Sequence, residues 1–270
     1  MGCSSPFAPC SSALFTGVCA VGLLGACDVT IKDGDVSFSQ LHGRATREWN
    51  REYPLADGGR VEIVNPNGTI EVSVGPGGKI TVAALLESRA MTDDRAKEML
   101  SDAAIEESAT PEHVKLATVR GDRSGRLEVT YKVMVPPDAR VEVTGNNGEL
   151  KVDGVRGHVK AMAVNADVEL TDIRGSVDVA SVNGSVSVKM TEVTARIRLD
   201  STNSRIALEI PKDAKATLNA RSVNGRISVN GLATQEASGR RIRSLESVLN
   251  GGGPEIDVRV TNGRITIEGK

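Results

Sequence analysis

The stretch Asn183-Gly184-Ser185-Val186-Ser187-Val188 carries the pattern that decides the fold. The same pattern starts at Asn165 and again at Asn147, and the three starting points are equally spaced. Looser copies start at Asn67, Asn203, Asn224 and Asn262. A unit of this length is too short to bury its own apolar face, so neighbouring units must stack against one another. The repeat therefore predicts an all-β fold, a β-solenoid of about 18-residue rungs with two short strands each.

The repeated asparagines have two interpretations. In the first, their side chains form a structural ladder of stacked amides at the corners, where Asn tolerates a left-handed backbone. In the second, they are a row of exposed groups that contact a ligand. We favour the ladder, because stacked amides satisfy one another's hydrogen bonds. The predicted members in the solenoid are Asn147, Asn165, Asn183, Asn203, Asn224 and Asn262.

The rest of the chain divides by composition and pattern. Only 2% of the residues are aromatic, so the core must consist of stacked β-branched side chains. Residues 46–137 show strand alternation and one short helix, which begins after the N-cap Thr92. Residues 138–270 carry the solenoid repeats, interrupted by a predicted loop at 232–254. We expect residues 46–270 to form one continuous domain.

The apolar face of the predicted helix follows the spacing of an amphipathic helix that covers one side of a sheet. Its members are Ala96, Met99, Leu100, Ala103 and Ala104.

The amino-terminal segment resembles the leader of a bacterial lipoprotein. All four cysteines lie at or before Cys27, and the uncharged run at 13–26 is too short to span a bilayer. The run ends in Leu24-Gly25-Ala26-Cys27, which is similar to a lipobox. We therefore predict a signal peptide at 1–26, lipidation of Cys27, a flexible tether at 27–45, and a membrane-anchored protein on the extracytoplasmic side of the cell envelope.

The charge distribution bears on the partners. A net charge of -2 and a pI near 6.0 argue against a nucleic-acid-binding protein, which needs clustered cationic side chains. Arg240, Arg241 and Arg243 form a local basic group in the predicted loop. They could contact an anionic polymer or lipid head groups, or they could belong to a solvated loop. The sequence leaves both interpretations open.

The sequence contains no catalytic-nucleophile, zinc-protease, phosphate-loop or EF-hand motif, so we expect no cofactor and no metal. The alternative function is a carbohydrate-active β-helix enzyme, a lyase or glycosidase, because acidic residues fall in consecutive rungs. These residues are Asp153, Asp167, Glu169, Asp172 and Asp178. Interspersed cations also fit a solvated outer face, and the repeats lack aromatic residues on which sugars stack.

Several further segments occur in an order that resembles a known family. They are Tyr53-Pro54-Leu55, the Asn67-Gly68 turn, the strand end at Val133-Met134-Val135-Pro136 and the closing Leu249-Asn250-Gly251-Gly252-Gly253. Together with the serial Asn-Gly units, they are similar to the bacterial β-strand-repeat family of unknown function labelled "putative adhesin". The resemblance covers about Thr46 to Lys270. It implies a β-helix-like domain displayed at the cell envelope, and some relatives are associated with envelope-stress signalling.

These observations combine into one functional hypothesis. The chain is predicted to be a non-catalytic lipoprotein of the cell envelope whose β-solenoid is an adhesin or an envelope binding or signalling module. The resemblance implies no catalytic residues. The expected partners are the membrane, through the amino-terminal lipid, and an envelope protein or polysaccharide, with no nucleic acid.

Overall fold

The computed structural model describes the backbone of residues 29–32 and 35–38, and residues 42–121, 125–232 and 243–270 in full. The chain divides into two compact units, residues 1–40 and 41–270. In the first unit, strands β1 (Val29–Lys32) and β2 (Asp35–Phe38) form an antiparallel pair. These strands lie within the segment 27–45 that the sequence predicts as a tether.

The second unit is built on one open sheet, and it contains the single helix of the described residues. The elements are β3 (Gly43–Pro54), β4 (Arg60–Val74), β5 (Lys79–Ala90), α1 (Asp93–Asp102), β6 (Ala104–Ala109), β7 (His113–Val119), β8 (Arg126–Val135), β9 (Arg140–Asp153), β10 (Val159–Ile173), β11 (Val177–Met190), β12 (Ile197–Ile210), β13 (Ala216–Asn230), β14 (Ser244–Leu249) and β15 (Glu255–Gly269). The strand order is β14-β13-β15-β12-β11-β10-β9-β4-β8-β5-β3, with β7 also paired to β4 and β6 paired to β7. The two ends of this order do not meet, so the sheet stays open.

Parallel strands in matching register form the body of the domain. Val159 of β10 lies opposite Val141 of β9 and Val177 of β11, which are one repeat unit away on either side in the sequence. The next unit is slightly longer, and Val177 pairs with Ile197 of β12. In every pair the asparagines lie opposite each other, so each apolar side chain stacks on its counterpart in the next strand.

Each repeat is one bent strand, whereas the sequence predicts two short ones. In β10, alternate residues from Val159 to Ala163 are buried, and burial resumes at Ala166. Val164 and Asn165 between them are both exposed, which shifts the alternation by one residue. Because the neighbouring strands bend at the same position, backbone pairing continues through the corner.

The asparagines do not take the left-handed conformation that the sequence analysis assigned to them. Among the described non-glycine residues, positive φ occurs at Asp172 and Asn250, and no ladder asparagine has it. The glycine after the asparagine takes this role in several strands, with φ of 114° at Gly68 and 128° at Gly148. Glycine adopts this conformation without the steric cost that a Cβ adds.

The carboxyl-terminal strands do not stack in sequence order. Strand β15 lies between β12 and β13, so that Asn262 is opposite both Asn203 and Asn224. Part of the predicted loop at 232–254 is also a strand, since Ser244–Leu249 pairs antiparallel with β13. Leu245 and Leu249 of this strand are buried, so β14 covers the first half of β13 at the end of the sheet.

The amino-terminal layer largely follows the sequence prediction. Thr92 caps α1, and its Oγ1 accepts a hydrogen bond from the backbone N–H of Arg95. Ala96, Met99 and Leu100 are buried against the sheet, and Ala103 is buried at the C-cap. The prediction for Ala104 is wrong, because this residue is exposed at the start of β6.

We predict that Gly148→Ala destabilises the domain by about 1–3 kcal/mol, the range for strain at an unfavourable φ. A Cβ at this position would lie 2.1 Å from the carbonyl oxygen of Gly68. The control is Gly77→Ala, because a Cβ there has no atom within 4 Å. The measurement is the free energy of unfolding in denaturant, and equal stability of the two variants would contradict the prediction.

Candidate functional site

The aligned asparagines form a continuous chain of side-chain hydrogen bonds along the corner. Each link runs from Nδ2 of one residue to Oδ1 of its neighbour. The links are Asn147 to Asn67 (2.8 Å), Asn165 to Asn147 (3.4 Å), Asn183 to Asn165 (2.8 Å), Asn203 to Asn183 (3.0 Å), Asn262 to Asn203 (2.8 Å) and Asn224 to Asn262 (2.9 Å). We call this set the amide ladder. It crosses seven strands in one direction.

The amide ladder lies on the outside of the corner. Asn67 and Asn183 are half-buried and the other members are exposed, so these amides remain open to water. The ladder therefore contributes less than a buried network would, because water competes for the same hydrogen bonds. Its position divides the outer surface into one region before the corner and one after it.

We predict that Asn183→Ala lowers the free energy of unfolding by about 1 kcal/mol, because it removes two ladder hydrogen bonds. Asn146→Ala is the matched control, since Asn146 is an exposed neighbour outside the ladder. Thermal and denaturant unfolding of both variants measure the effect. An unchanged melting temperature for Asn183→Ala would remove the structural role.

A groove of about 900 Å³ runs across the strands on the side of the corner before the ladder. Its walls are two columns of outward-facing side chains. The column one residue before each asparagine is, in sheet order, Asn146, Val164, Val182, Thr202, Thr261 and Val223. The column three residues before is Thr144, Met162, Ala180, Asp200, Arg259 and Arg221. Six strands at ~4.8 Å spacing make the groove roughly 24 Å long.

One end of the groove exposes apolar side chains. Met162 is 45% exposed and Val182 is 41% exposed, and Val164 lies between them. The hydroxyls of Ser181 and Ser201 are buried below the groove and make no hydrogen bond within the described residues. This end therefore presents an apolar wall, with two unpaired serine hydroxyls enclosed beneath it.

The other end of the groove carries ion-paired arginines beside Val223, which is 61% exposed. Arg259 donates to both oxygens of Asp257, at 3.0 and 2.6 Å, and the Asp257 carboxylate is buried beneath it. Arg221 donates to Glu246 at 3.0 Å. These pairs hold the guanidinium groups in place and neutralise much of their charge.

A family comparison places this arrangement among known proteins. The family model described as "Toastrack DUF4097" matches residues 26–268. The chain belongs to this family. The match confirms the resemblance found in the sequence, and it begins earlier than the expected Thr46. A search of curated proteins gave no match.

Solved structures resemble this Toastrack chain at low identity. A "putative cell adhesion protein" from Clostridium sporogenes has a TM-score of 0.47 and 11% identity, covering 84% of this chain and 100% of the other. A "putative adhesin" from Bacteroides fragilis has a TM-score of 0.40 and 12% identity, covering 83% and 97%. A "putative lipid binding protein" from Parabacteroides distasonis has a TM-score of 0.33 and 10% identity, covering 84% and 97%. At these values the similarity does not indicate a ligand for this chain.

The predicted lipidation site and most of the predicted basic group lie in parts of the chain that the structure does not describe. Cys27, Arg240 and Arg241 lie outside the described residues. Arg243 is exposed just before β14, and its carbonyl oxygen accepts a hydrogen bond from the Ser222 N–H at 2.8 Å. The predicted basic group of Arg240, Arg241 and Arg243 therefore stays a prediction.

The carboxylates behind the enzyme alternative lie in different environments. Asp167 accepts hydrogen bonds from the backbone N–H of Ser185 at 2.6 Å and from its hydroxyl at 2.8 Å. These bonds lower the pKa of Asp167, whereas its partial burial raises it. A lowered pKa keeps the group ionised, which does not suit a general acid.

Within the part of the chain that the structure describes, no group of three or more His, Cys, Asp or Glu residues could hold a metal ion. In the same residues, no helix has the length and apolarity to cross a membrane.

The sequence reasoning on this Toastrack chain missed the groove. Its signal is present in the repeat, at the positions one and three residues before each asparagine. Val164, Val182 and Val223 share the first of these positions. An apolar residue directly before the asparagine departs from the alternation of buried apolar and exposed polar residues. This repeated departure indicates an apolar surface at the corner.

Proposed function

We propose that this chain is a non-catalytic lipoprotein of the cell envelope whose groove binds an extended segment of an envelope protein. In this proposal the lipid on Cys27 holds the protein at the membrane, and the solenoid presents the groove to its partner. The function is adhesion or the recognition of an envelope component.

The groove is the observation that supports a binding function. It is long and narrow, and it exposes Met162, Val164 and Val182 beside the corner. Exposed apolar side chains in a concave surface are typical of binding sites. Because the groove crosses the strands, a partner would be recognised through side chains and not by strand addition.

The lining favours a polypeptide over a polysaccharide as the partner. Sugar rings stack on Trp or Tyr, and the described lining of the groove contains neither. An extended peptide can place apolar side chains against Met162 and Val182, and polar groups against Asp200 and Thr202. The groove length of roughly 24 Å corresponds to about seven extended residues.

The lipid anchor can be tested directly. We predict that wild-type protein fractionates with membranes and that its mature mass includes a diacylglycerol on Cys27. Cys27→Ala should lose both properties, whereas Cys19→Ala should keep them, because Cys19 lies within the predicted signal peptide. Cell fractionation and mass spectrometry are the measurements. A wild-type protein without lipid would refute the anchor.

The groove is tested with envelope fragments from the source cells. Binding of purified chain is measured in a Cys27→Ala background, so that lipid does not retain the protein. We predict that Val182→Asp abolishes binding, because it places a charge on the apolar wall. Val248→Asp is the matched control, since Val248 is 60% exposed on β14 outside the groove.

Pretreatment of the fragments separates the partner classes. Protease treatment should abolish binding, and removal of glycans should leave it unchanged. Binding that survives protease but not glycan removal would show a polysaccharide partner and contradict the proposal. Equal binding of Val182→Asp and Val248→Asp would show that the groove is not the site.

A further inference from the structure

Three arginines lie side by side on the other side of the amide ladder from the groove. Arg205 of β12 pairs with Arg264 of β15, and Arg226 of β13 pairs with the same Arg264. Each arginine comes two residues after a ladder asparagine. Since neighbouring strands lie ~4.8 Å apart, the three side chains leave the sheet as one row. We call Arg205, Arg264 and Arg226 the arginine row.

The arginine row has no compensating carboxylate within residues 42–121, 125–232 and 243–270. All three side chains are exposed, and none forms an ion pair or a side-chain hydrogen bond with another residue of these ranges. Elsewhere in the sheet, Arg221 pairs with Glu246 and Arg198 with Asp200. Arg140 forms no ion pair with a described residue, but it lies opposite Arg60, whose guanidinium pairs with Glu142. The row is therefore a local concentration of unneutralised positive charge.

Folding does not explain this concentration. Like charges directly opposite each other on neighbouring strands destabilise a sheet. The same position holds Glu149 in β9, Asp167 in β10 and Ser185 in β11, so the corner does not require arginine. Three consecutive arginines oppose stability, which is typical of residues that serve binding.

A second observation points to a ligand at the same place. The arginine row borders a cavity of about 440 Å³ that also contacts Ser204 and Asn262. Ser204 is only 9% exposed, and its hydroxyl has no hydrogen-bond partner in the described structure. Each ladder amide also carries a second N–H that the ladder does not use. The surface of the cavity thus combines three cations with the free N–H groups of Asn203 and Asn262, and the unpaired Ser204 hydroxyl is enclosed beneath them.

We propose that the arginine row, together with the free N–H groups of the neighbouring ladder amides Asn203 and Asn262, forms a binding site for a compact anion that carries two or more phosphate groups. A guanidinium group binds phosphate through two parallel N–H donors. The arginine row spans two strand spacings, roughly 10 Å, which is longer than one phosphate group, so its two ends can engage separate phosphates. The additional donors favour phosphate over carboxylate, because phosphate presents more acceptor oxygens. This site is separated from the groove by the ladder, so it does not depend on the proposed protein partner.

Calorimetric titration of the purified full-length chain with inorganic tripolyphosphate tests the site. We expect binding that weakens as salt rises, and weaker binding of inorganic phosphate. Arg264→Ser removes the central cation and should weaken tripolyphosphate binding by at least about ten-fold, the effect of one lost charged hydrogen-bonding group. Serine is chosen because β11 carries Ser185 at this position.

The control variant is Arg156→Ser, which removes an exposed arginine outside the row and should leave binding unchanged. Arg264→Ser should melt at the same temperature as wild type or higher, because it relieves repulsion. This readout separates lost binding from lost structure.

Titration with short-chain cardiolipin, whose head group carries two phosphates, distinguishes a lipid source from a soluble one. Tighter binding of cardiolipin than of tripolyphosphate would identify a lipid head group, and the reverse would identify a soluble polyphosphate. Absence of binding to both probes would overturn the proposal, as would equal weakening by Arg264→Ser and Arg156→Ser. If the groove test failed, because Val182→Asp bound envelope fragments as well as its control, the titration results would be unchanged. The two proposals can therefore fail independently.

Discussion

In-register parallel pairing of strands that repeat the same apolar pattern is the interaction on which the structure depends. A single rung cannot bury its valines and isoleucines, because no second layer lies within the rung itself. Pairing Val168 with Val186, and Val186 with Ile206, gives each apolar side chain a neighbour of similar shape. A shift of one residue would move this whole set to the outer face. Register is therefore the property that the sequence must protect.

The corner protects the register and also creates the outer surfaces. A glycine at positive φ or a small residue follows each asparagine, and the amide ladder joins equivalent positions only when the strands are aligned. Because every strand bends at the same place, side chains at one offset from the asparagine form a column across the sheet. Two such columns line the groove on one side of the ladder, and a third column holds the arginine row on the other side. A residue type that recurs at one position of the repeat therefore forms a continuous surface across the sheet.

The sequence predicted the repeat, the helix cap at Thr92 and the alignment of the asparagines, because each depends on local spacing. It did not predict the order of the last strands. The copies at Asn224 and Asn262 carry the same Asn-Gly-Arg-Ile motif, so periodicity cannot decide which of them pairs with Asn203. That choice depends on how the segment between the two strands closes the end of the sheet.

The candidate sites were harder to predict than the fold. The net charge of -2 averages over the chain, so it conceals three aligned arginines. The sequence analysis singled out Arg240, Arg241 and Arg243 as a basic group because they are neighbours in sequence. Arg205, Arg264 and Arg226 become neighbours only through register and through the insertion of β15. Comparing equivalent positions across the units, rather than adjacent residues, would have found them.

Methyl contacts between isoleucines test the central claim most directly. Ile206, Ile265 and Ile227 occupy the same position in β12, β15 and β13, where each is buried. In protein labelled at isoleucine methyl groups, the account predicts strong nuclear Overhauser contacts from Ile265 to both Ile206 and Ile227. A strong contact between Ile206 and Ile227, with none between Ile206 and Ile265, would contradict the register and the strand order together.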